Sequence, residues 1–191
     1  MTKAADIADV TNAKTAAPWK SVMKQGLVAG SLGSMASALA LLRAGRRETG
    51  SALPPINAVS HWYWGDRSLH RRQADFTHTA LGYLTHHGAS VFWATLYAAA
   101  TKDLEAARTP KGIAAGALAT SAVACFVDYR LTPQRLTPGF EHEISRSAMA
   151  GVYAAMALGL AVGAWLSMEG ERRRNTPSGS AETAATERGA G

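Results

Sequence analysis

Charged residues are scarce in this chain, and four long windows contain none. Asp, Glu, Lys and Arg make up 18% of the 191 residues, whereas about 25% is typical of soluble domains. The windows that lack them are residues 26–42, 76–101, 112–127 and 147–168. A helix needs about 20 mostly apolar residues to cross a bilayer, so the first and third windows are at the short limit. The scarcity of charge predicts a membrane protein with four spans.

The windows also lack the polar stripe that a soluble helical bundle requires. A helix with one face in water repeats its polar residues at the 3.6-residue period, and no window shows this repeat. The mean hydropathy of -0.06 is an average over an apolar middle and two polar ends. We therefore expect an all-α integral-membrane four-helix bundle over residues 22–168, with its last span at about 144–168. A polar tail over 1–21 and a disordered tail over 169–191 are expected to flank it.

Cysteine and catalytic motifs are missing too. Cys125 is the only cysteine, which excludes an intrachain disulfide and a cysteine-based metal cluster. The chain has no HExxH, CxxC, EF-hand, P-loop or GxGxxG pattern and no spacing typical of a Ser/His/Asp triad. The region before Gly26 is long and mixed in charge, which does not fit a cleavable signal, so the first window is interpreted as a retained helix. These absences give enzyme activity little support.

The positive charges that are present lie beside the apolar windows. The formal charge is +6 and the pI is about 9.8, values that also occur in nucleic-acid-binding proteins. Here the lysines and arginines flank the windows, where anionic head groups attract them, so the lipid bilayer and not a nucleic acid is the expected partner. Cations near the span ends on the side of both termini predict that this side is cytoplasmic in a bacterial inner membrane. They are Lys20, Lys24, Lys102, Lys111 and residues 172–174.

Small residues recur every four positions in three of the windows. The runs are Gly26, Gly30, Ser34 and Ala38 in the first window, Gly112, Gly116, Thr120 and Ala124 in the third, and Ser147, Gly151, Ala155, Gly159 and Gly163 in the fourth. Small side chains on one face let the backbone of a neighbouring helix approach closely. We call these runs the small-residue seams and expect them to be packing faces.

Two long connections are expected on the side opposite the termini, where they would form an aromatic cap. In the first, residues 43–75, the pair Pro54-Pro55 predicts the start of a short helix, because proline is tolerated in a first turn. The run Trp-Tyr-Trp at 62–64 follows, and we interpret it as an anchor in the head-group layer, with a ligand-stacking site as the alternative. In the second connection, Thr137 and Pro138 predict an N-cap and the first residue of the fourth helix.

The second window holds three histidines within an uncharged segment. A histidine inside a span is costly to bury and marks a candidate functional site. One helical stripe with polar and aromatic members is expected to face the bundle. It consists of Thr79, Gly82, Tyr83, His86, Ser90, Trp93 and Tyr97. His87 lies about 100° away from His86, so the two imidazoles are not expected to share one ion. His86 has three open interpretations, namely a hydrogen bond to a neighbouring helix, a proton or ion pathway, and a metal or haem ligand.

The candidate intramembrane polar site draws on several segments. Its members are His86, Ser90, Tyr97, His78, His142 and Asp128. The first and third windows contain no histidine. A haem held by two histidines, as in the four-helix b-type cytochromes, would therefore need His142 as the partner of His78 or His86. A single haem is the most that this arrangement allows.

A second group of possible ligands lies in the long connections. His61, Asp66, His70 and His78 in the first are expected to approach Asp128, Glu141, His142 and Glu143 in the second. Nitrogen and carboxylate ligands suit zinc, manganese or iron, and the metal candidates are His61, His142, Glu141 and Asp128. No metal-binding spacing supports them. No cofactor is predicted, and haem or a transition metal is the alternative.

Two matching intervals favour an internal repeat. His86 precedes Tyr97-Ala-Ala by eleven positions, and His142 precedes Tyr153-Ala-Ala by the same interval. The first and third windows also begin with a similar lysine-then-glycine pattern. Two parallel helix-pair repeats would explain both observations, and such repeats occur in transporters.

Several of these motifs occur together in one membrane family. They are the glycine-rich first helix, Pro54-Pro55, His86 with Ser90, Phe92, Trp93 and Tyr97, the start at Lys111 and Gly112, the TP-containing second loop, and His142. Over most of residues 24–166 the chain thereby resembles the YagU-like bacterial inner-membrane proteins. The arginine-rich loop at 130–138 cannot be assigned to that pattern. The resemblance implies a four-helix inner-membrane protein and supplies no catalytic residue.

Three functional hypotheses follow from these patterns. The first is a structural or interaction protein of the membrane without catalysis, acting as a homo-oligomer or with a membrane partner. The second is a small transporter or a proton- or ion-linked permease that uses His86, Tyr97 and Asp128. The third is a metal or haem protein that uses His86, His78 and His142.

Overall fold

The chain folds into helices joined by helical turns. The computed structural model describes the backbone of residues 2–175 and the side chains of residues 19–174, and these contain no β-strand. The α-helices are α1 (Thr2–Glu48), α2 (Pro54–Val59), α3 (His61–Trp64), α4 (Leu81–Thr101), α5 (Pro110–Phe126) and α6 (Arg146–Asn175). For this part of the chain, the predicted all-α class is confirmed.

Three helical segments are long and apolar enough to cross a membrane. They are Trp19–Glu48, Pro110–Leu131 and Arg146–Arg174, with mean hydropathies of 1.5, 1.4 and 1.7. The second predicted span corresponds to α4, which has 21 residues and no charged side chain. Its histidine, serine and threonine side chains lower its hydropathy, and α4 is not among the three. The structure therefore supports three of the four predicted spans by length and composition.

The central helix of the bundle is α1, which packs along α4 on one face and along α6 on another. A Cβ atom added at Gly30 would lie 2.4 Å from the Cα of Val91 in α4. One added at Gly163 would lie 2.4 Å from the Cα of Ala29 in α1. Only glycine permits backbones to approach this closely, so two of the small-residue seams are contact surfaces, as predicted. Gly151 differs, because nothing lies within 4 Å of its added Cβ.

Consecutive long helices run antiparallel, and α5 joins the bundle through α6. The Ser121 hydroxyl of α5 donates a 2.6 Å hydrogen bond to the Tyr153 carbonyl of α6. At the start of α5, Thr109 caps the helix by accepting a hydrogen bond from the Gly112 N–H at 3.0 Å. At the other end, a single π-helical turn at Val127–Leu131 extends α5. The described ends of α1 and α6 meet, and there the Ser21 hydroxyl donates to the Glu171 carboxylate.

The outer helices are longer than the predicted spans. The backbone of α1 is helical from Thr2, so the segment expected to be a polar tail over 1–21 continues the first helix. The last helix runs beyond residue 168 to Asn175. Residues 176–191, the greater part of the predicted C-terminal tail, lie outside the described residues.

The fourth long helix begins at Arg146 and not at Pro138, so the predicted N-cap at Thr137 is wrong. Gly139 adopts a left-handed conformation with φ 87°, which ends any helix that starts at Pro138. The true start is stabilised from a distant part of the chain. The Ser145 N–H and hydroxyl donate to the two carboxylate oxygens of Glu48 at 2.5 and 2.9 Å, and the Ser145 oxygen accepts from the Ala148 N–H at 3.3 Å.

The two long connections meet in what we call the cap, residues 49–75 and 132–145. Its first helix, α2, begins at Pro54, as Pro54-Pro55 predicts. The indole N–H of Trp62 donates a 2.8 Å hydrogen bond to the Thr137 carbonyl and thereby joins the two connections. Tyr63 and Trp64 are about half exposed.

The matching intervals that favoured an internal repeat do not occupy equivalent positions. Tyr97 packs near the start of α5 and the end of α6, against Ile113 and Ala164. Tyr153 lies at the opposite end of the bundle, close to the cap, and its hydroxyl contacts Asp128. His86 lies within α4, whereas His142 lies in a 3-10 turn of the cap. A parallel repeat in this register is therefore not present.

Candidate functional site

A cavity of about 70 Å³ lies inside the bundle beneath the cap, and we call it the central cavity. Side chains from α1, α4, α5, α6 and both parts of the cap line it. Its polar side chains are Ser37, Thr85, His86, Ser90, Asp128 and Tyr153. A water molecule needs about 10–15 Å³ measured in this way and two to four polar partners, so the central cavity has room for several waters.

His86 contacts α1 through a hydrogen bond. Its Nε2 atom lies 2.8 Å from the hydroxyl oxygen of Ser37, which is the interhelical bond that was one of its three interpretations. The same hydroxyl donates to the Gly33 carbonyl at 2.7 Å. A hydroxyl has a single proton, so both bonds form together when His86 carries a proton on Nε2. This arrangement satisfies a serine that is 1% exposed.

His87 also reaches α1, which the sequence did not predict. Its Nδ1 atom lies 3.1 Å from the Ser34 hydroxyl, and its ring packs against Tyr83 with centroids 5.9 Å apart. Ser34 and Ser37 are three positions apart on the same face of α1, so His86 and His87 both contact that face. The close approach of the two helices at their small residues brings both imidazoles within reach of α1.

Asp128 is the carboxylate of the central cavity. It lies in the π-helical turn after α5, and the Tyr153 hydroxyl donates a 2.6 Å hydrogen bond to its Oδ2 atom. Tyr153 is in turn packed edge-to-face against Tyr129, with centroids 6.2 Å apart, and against Phe140 at 6.4 Å. Among the described side chains, no lysine, arginine or histidine lies within ion-pair distance of Asp128.

Of the six residues in the candidate polar site, the structure brings three together. His86, Ser90 and Asp128 all line the central cavity. Ser90 is buried and bonds the carbonyl of His86 in its own helix at 2.9 Å. The other three residues lie elsewhere.

Tyr97, His78 and His142 have different partners. The Tyr97 hydroxyl donates to the Ile113 carbonyl at 3.4 Å, near the opposite end of the bundle. His78 lies before α4, with Nδ1 2.9 Å from the Asp75 carboxylate. His142 is in the cap, with Nε2 4.0 Å from Glu141. Among the described residues, His86, His78 and His142 contact Ser37, Asp75 and Glu141 respectively and not one another, and haem ligation stays a prediction.

The possible metal ligands of the connections are not gathered at one point. Among residues 19–174, no group of three or more His, Cys, Asp or Glu side chains is arranged to hold a metal ion. His61 uses Nδ1 to bond the Ala58 carbonyl at 2.9 Å, and Glu141 accepts a long 3.5 Å bond from the Tyr129 hydroxyl.

One pair from that second group does form, and it joins the two halves of the cap. The backbone N–H of His70 donates to the Glu143 carboxylate at 2.6 Å, and the imidazole Nδ1 lies 2.8 Å from the same oxygen. The Glu143 side chain is 4% exposed. His70 has φ 63°, a conformation that costs energy for a residue other than glycine. The buried carboxylate fixes it there.

Asp75 sets the start of the segment that leads into α4. Its carboxylate accepts a 2.7 Å hydrogen bond from the His78 N–H. This backbone hydrogen bond, together with the contact to the His78 side chain, lowers the pKa of Asp75 below its ordinary value of 3.8.

Sequence patterns missed three residues of the site. Ser34 was assigned only to a small-residue seam, Ser37 was not singled out, and Tyr153 was used only as a marker of the repeat. The available signal was the three-residue spacing of Ser34 and Ser37 within an otherwise apolar helix, opposite a helix that carries paired histidines.

No family model, curated protein or solved structure matches this chain. The bundle and the central cavity are therefore the basis for a proposed function.

Proposed function

We propose that the chain is a four-span integral protein of the bacterial inner membrane, of structural or interaction type. The observation that supports this is an inverted distribution of polarity across the long helices. Outward faces carry large apolar residues, among them Leu39, Phe92, Leu118, Leu158 and Trp165. The buried faces carry serines, of which Ser34, Ser37, Ser90 and Ser121 are at most 3% exposed. Water would favour the reverse, whereas hydrocarbon favours this arrangement.

The fourth span of this proposal is α4. A helix of 21 residues is about 32 Å long, close to the roughly 30 Å hydrocarbon thickness of a bilayer. It packs antiparallel along α1, with the added Cβ of Gly26 2.2 Å from Thr95 and that of Gly30 beside Val91. If α1 crosses the bilayer, α4, which packs along it, crosses the bilayer too. Its hydropathy is low because it contains histidines and hydroxyl residues, and several of these side chains face α1 and the central cavity.

Four antiparallel spans put both termini on one side of the membrane. Lys20, Lys24, Lys102 and Lys111 lie near span ends on that side, which supports cytoplasmic termini. The cap then faces the periplasm. The resemblance to the YagU-like inner-membrane proteins implies the same location.

Accessibility of introduced cysteines tests the number of spans and the orientation. In a Cys125→Ser background, Asp103→Cys is in the link between α4 and α5, and Arg71→Cys is in the cap; both native side chains are exposed. An impermeant maleimide added to intact cells is expected to label the cap cysteine and to label Asp103→Cys only after lysis. Labelling of both in intact cells would mean that α4 does not cross. The reverse pattern would overturn the orientation, and complete extraction by carbonate would overturn the membrane assignment.

A second candidate, a small proton- or ion-linked permease, is favoured by a specific observation. His86 and Asp128, an imidazole and a carboxylate, line the same cavity within the bundle, and ionisable groups inside a membrane often mark transport pathways. Tyr97, which the sequence analysis also assigned to the permease, is not included here, because it lies at the other end of the bundle.

Proton flux into proteoliposomes, reported by an enclosed pH-sensitive dye, tests the permease. Wild-type protein is expected to raise the flux above that of empty liposomes. His86→Ala is expected to abolish the increase, and His142→Ala, in the exposed part of the cap, is expected to leave it unchanged. Flux that His86→Ala does not alter would remove His86 from any pathway. No flux from the wild type would overturn the permease.

A further inference from the structure

The central cavity has aromatic walls. Trp62, Trp93, Phe140 and Tyr153 line it from the cap, α4 and α6. The face of an aromatic ring carries partial negative charge and attracts a cation that lies within about 6 Å of the ring centre. Four rings around one space are a typical environment for an organic ammonium ion. Val59, Val152 and Met156 also line this space, and such apolar groups disfavour a strongly hydrated metal ion.

The same cavity contains a carboxylate without a cationic partner. Asp128 accepts one hydrogen bond from Tyr153 at Oδ2, and Oδ1 accepts none from any described residue. No lysine or arginine lines the cavity. An isolated carboxylate in an apolar setting is costly unless a positive charge compensates it. The lining therefore suits a cation and opposes an anion.

The size and roof of the cavity limit the ligand further. About 70 Å³ corresponds to roughly five water molecules, which restricts the ligand to a few heavy atoms. Trp62 is held over this space by its bond to the Thr137 carbonyl, and Pro138 and Phe140 of the cap also line it.

We propose that the central cavity binds a small organic ammonium ion, with Asp128 as the counter-ion and the aromatic rings as its walls. This goes beyond the proposed function, since it requires the folded bundle but does not require transport.

Binding of tetramethylammonium to the purified full chain in detergent tests the proposal. Tryptophan fluorescence is expected to change saturably with tetramethylammonium chloride and not with potassium chloride at equal ionic strength. Neutral tert-butanol, which has the same number of heavy atoms, is expected to bind at least tenfold more weakly by calorimetry. This comparison needs no variant. Equal affinity for the alcohol, or no saturable change, would overturn the proposal.

Variants locate the site. Asp128→Asn keeps an oxygen that accepts from Tyr153 and removes only the charge, so it is expected to weaken tetramethylammonium binding at least tenfold. Asp103→Asn, on the exposed link far from the cavity, is the matched control and is expected to bind as the wild type does. Trp93→Leu, which removes one wall, is expected to weaken binding about three- to tenfold.

Unchanged affinity in folded Asp128→Asn, or in folded Trp93→Leu if the former does not fold, would overturn the assignment. Binding without proteoliposome flux would remove the permease and leave the cation site standing.

Discussion

Ser37 links the central helix to the histidines of α4. Its hydroxyl donates within its own helix to Gly33 and contacts His86 Nε2 at 2.8 Å. Because the hydroxyl proton is used by Gly33, the imidazole supplies the proton for the second bond. One buried serine therefore determines both the tautomer of His86 and the contact between two helices.

Replacing Ser37 by alanine is expected to lower the free energy of unfolding by about 1 kcal/mol, because His86 loses its partner inside the bundle. Ser167→Ala is the matched control, since the Ser167 hydroxyl bonds only the Gly163 carbonyl of its own helix at 2.8 Å. Thermal unfolding of the two variants in the same detergent measures the difference. Equal unfolding temperatures would show that the bond to His86 contributes nothing.

Asp75 predicts a stability that depends on acid pH. Its pKa is lowered in the folded chain, first of all by the hydrogen bond from the His78 N–H. A lowered folded pKa contributes stability that is fully present above the ordinary value of 3.8 and is lost as the pH falls through the folded value. The wild type is therefore expected to lose more stability than Asp75→Asn between pH 5 and pH 3, in unfolding measured across that range. Parallel curves for the two proteins would contradict this cause.

For single residues, the sequence indicated which polar side chains line the central cavity, but it did not indicate which residues they contact. His86, Ser90 and Asp128 stand out because polar residues are rare in apolar segments. The serine that His86 meets lies 49 positions away in α1, and no local pattern reports such a contact. Serine in an apolar helix is equally compatible with close packing, which is how Ser34 was interpreted.

Among the elements, the contact between α1 and α6 depends on glycine. A Cβ at Gly159 would lie 2.4 Å from the Leu32 carbonyl oxygen and 2.6 Å from the Gly33 Cα, both backbone atoms. Neither atom can move without a shift of α1. The small-residue seam of α6 therefore sets the distance between the two helices.

Gly159→Ala is expected to force the helices apart at a cost of about 1–3 kcal/mol, which lowers the unfolding temperature by roughly 2–10 °C. Gly151→Ala lies on the same helix with nothing within 4 Å of its new Cβ. It is expected to leave the temperature unchanged or raise it, because alanine favours a helix by about 1 kcal/mol over glycine. Calorimetry of the purified variants compares them. An equal loss of unfolding temperature in both variants would mean that the close contact of Gly159 with the backbone of α1 does not determine stability.

Helix starts could be predicted only where their signals are local. Pro54-Pro55 is a signal within its own turn, and the structure starts α2 there. The start of α6 depends on Glu48, which lies 97 positions before Ser145. The pair Thr137-Pro138 has the right local chemistry for a helix start, but Gly139 and the burial of Phe140 in the core prevail over it.

For the molecule as a whole, one buried carboxylate is among the contacts that join the two parts of the cap. Glu143 accepts the His70 N–H and contacts its imidazole, and this joins the two long connections over the central cavity. Replacing Glu143 by glutamine removes the charge and keeps the shape of the side chain, and we expect this change to loosen the cap.

Glu143→Gln is expected to speed trypsin cleavage at Arg71 and Arg72 about fivefold, because loss of about 1 kcal/mol raises the population of the open cap by that factor. Both arginines are exposed. Glu141→Gln is the matched control, because its native carboxylate makes only long contacts, at 3.5 Å to the Tyr129 hydroxyl and 4.0 Å to His142 Nε2. Cleavage rates of intact protein in detergent are read from gels. Equal rates in the two variants would show that Glu143 does not hold the cap.

The scarcity of charge predicted the approximate place of the long helices. It did not predict that α1 lies at the centre. Four apolar helices with small-residue seams can pack in several orders, and the order depends on which seam meets which backbone. That information lies in pairs such as Gly30 with Val91 and Gly163 with Ala29, which are far apart in the chain.

The contact of the first helix with the last has a consequence for biosynthesis. During translation α1 emerges first, yet one of its two packing faces waits for α6, whose first residue follows Glu48 by 98 positions. At about 5–20 residues per second, the delay is roughly 5–20 s. Throughout that interval the nascent chain displays the face of α1 that contains Ala29, Leu32 and Gly33 without its partner, so premature termination before Arg146 would leave a product with its central helix half uncovered.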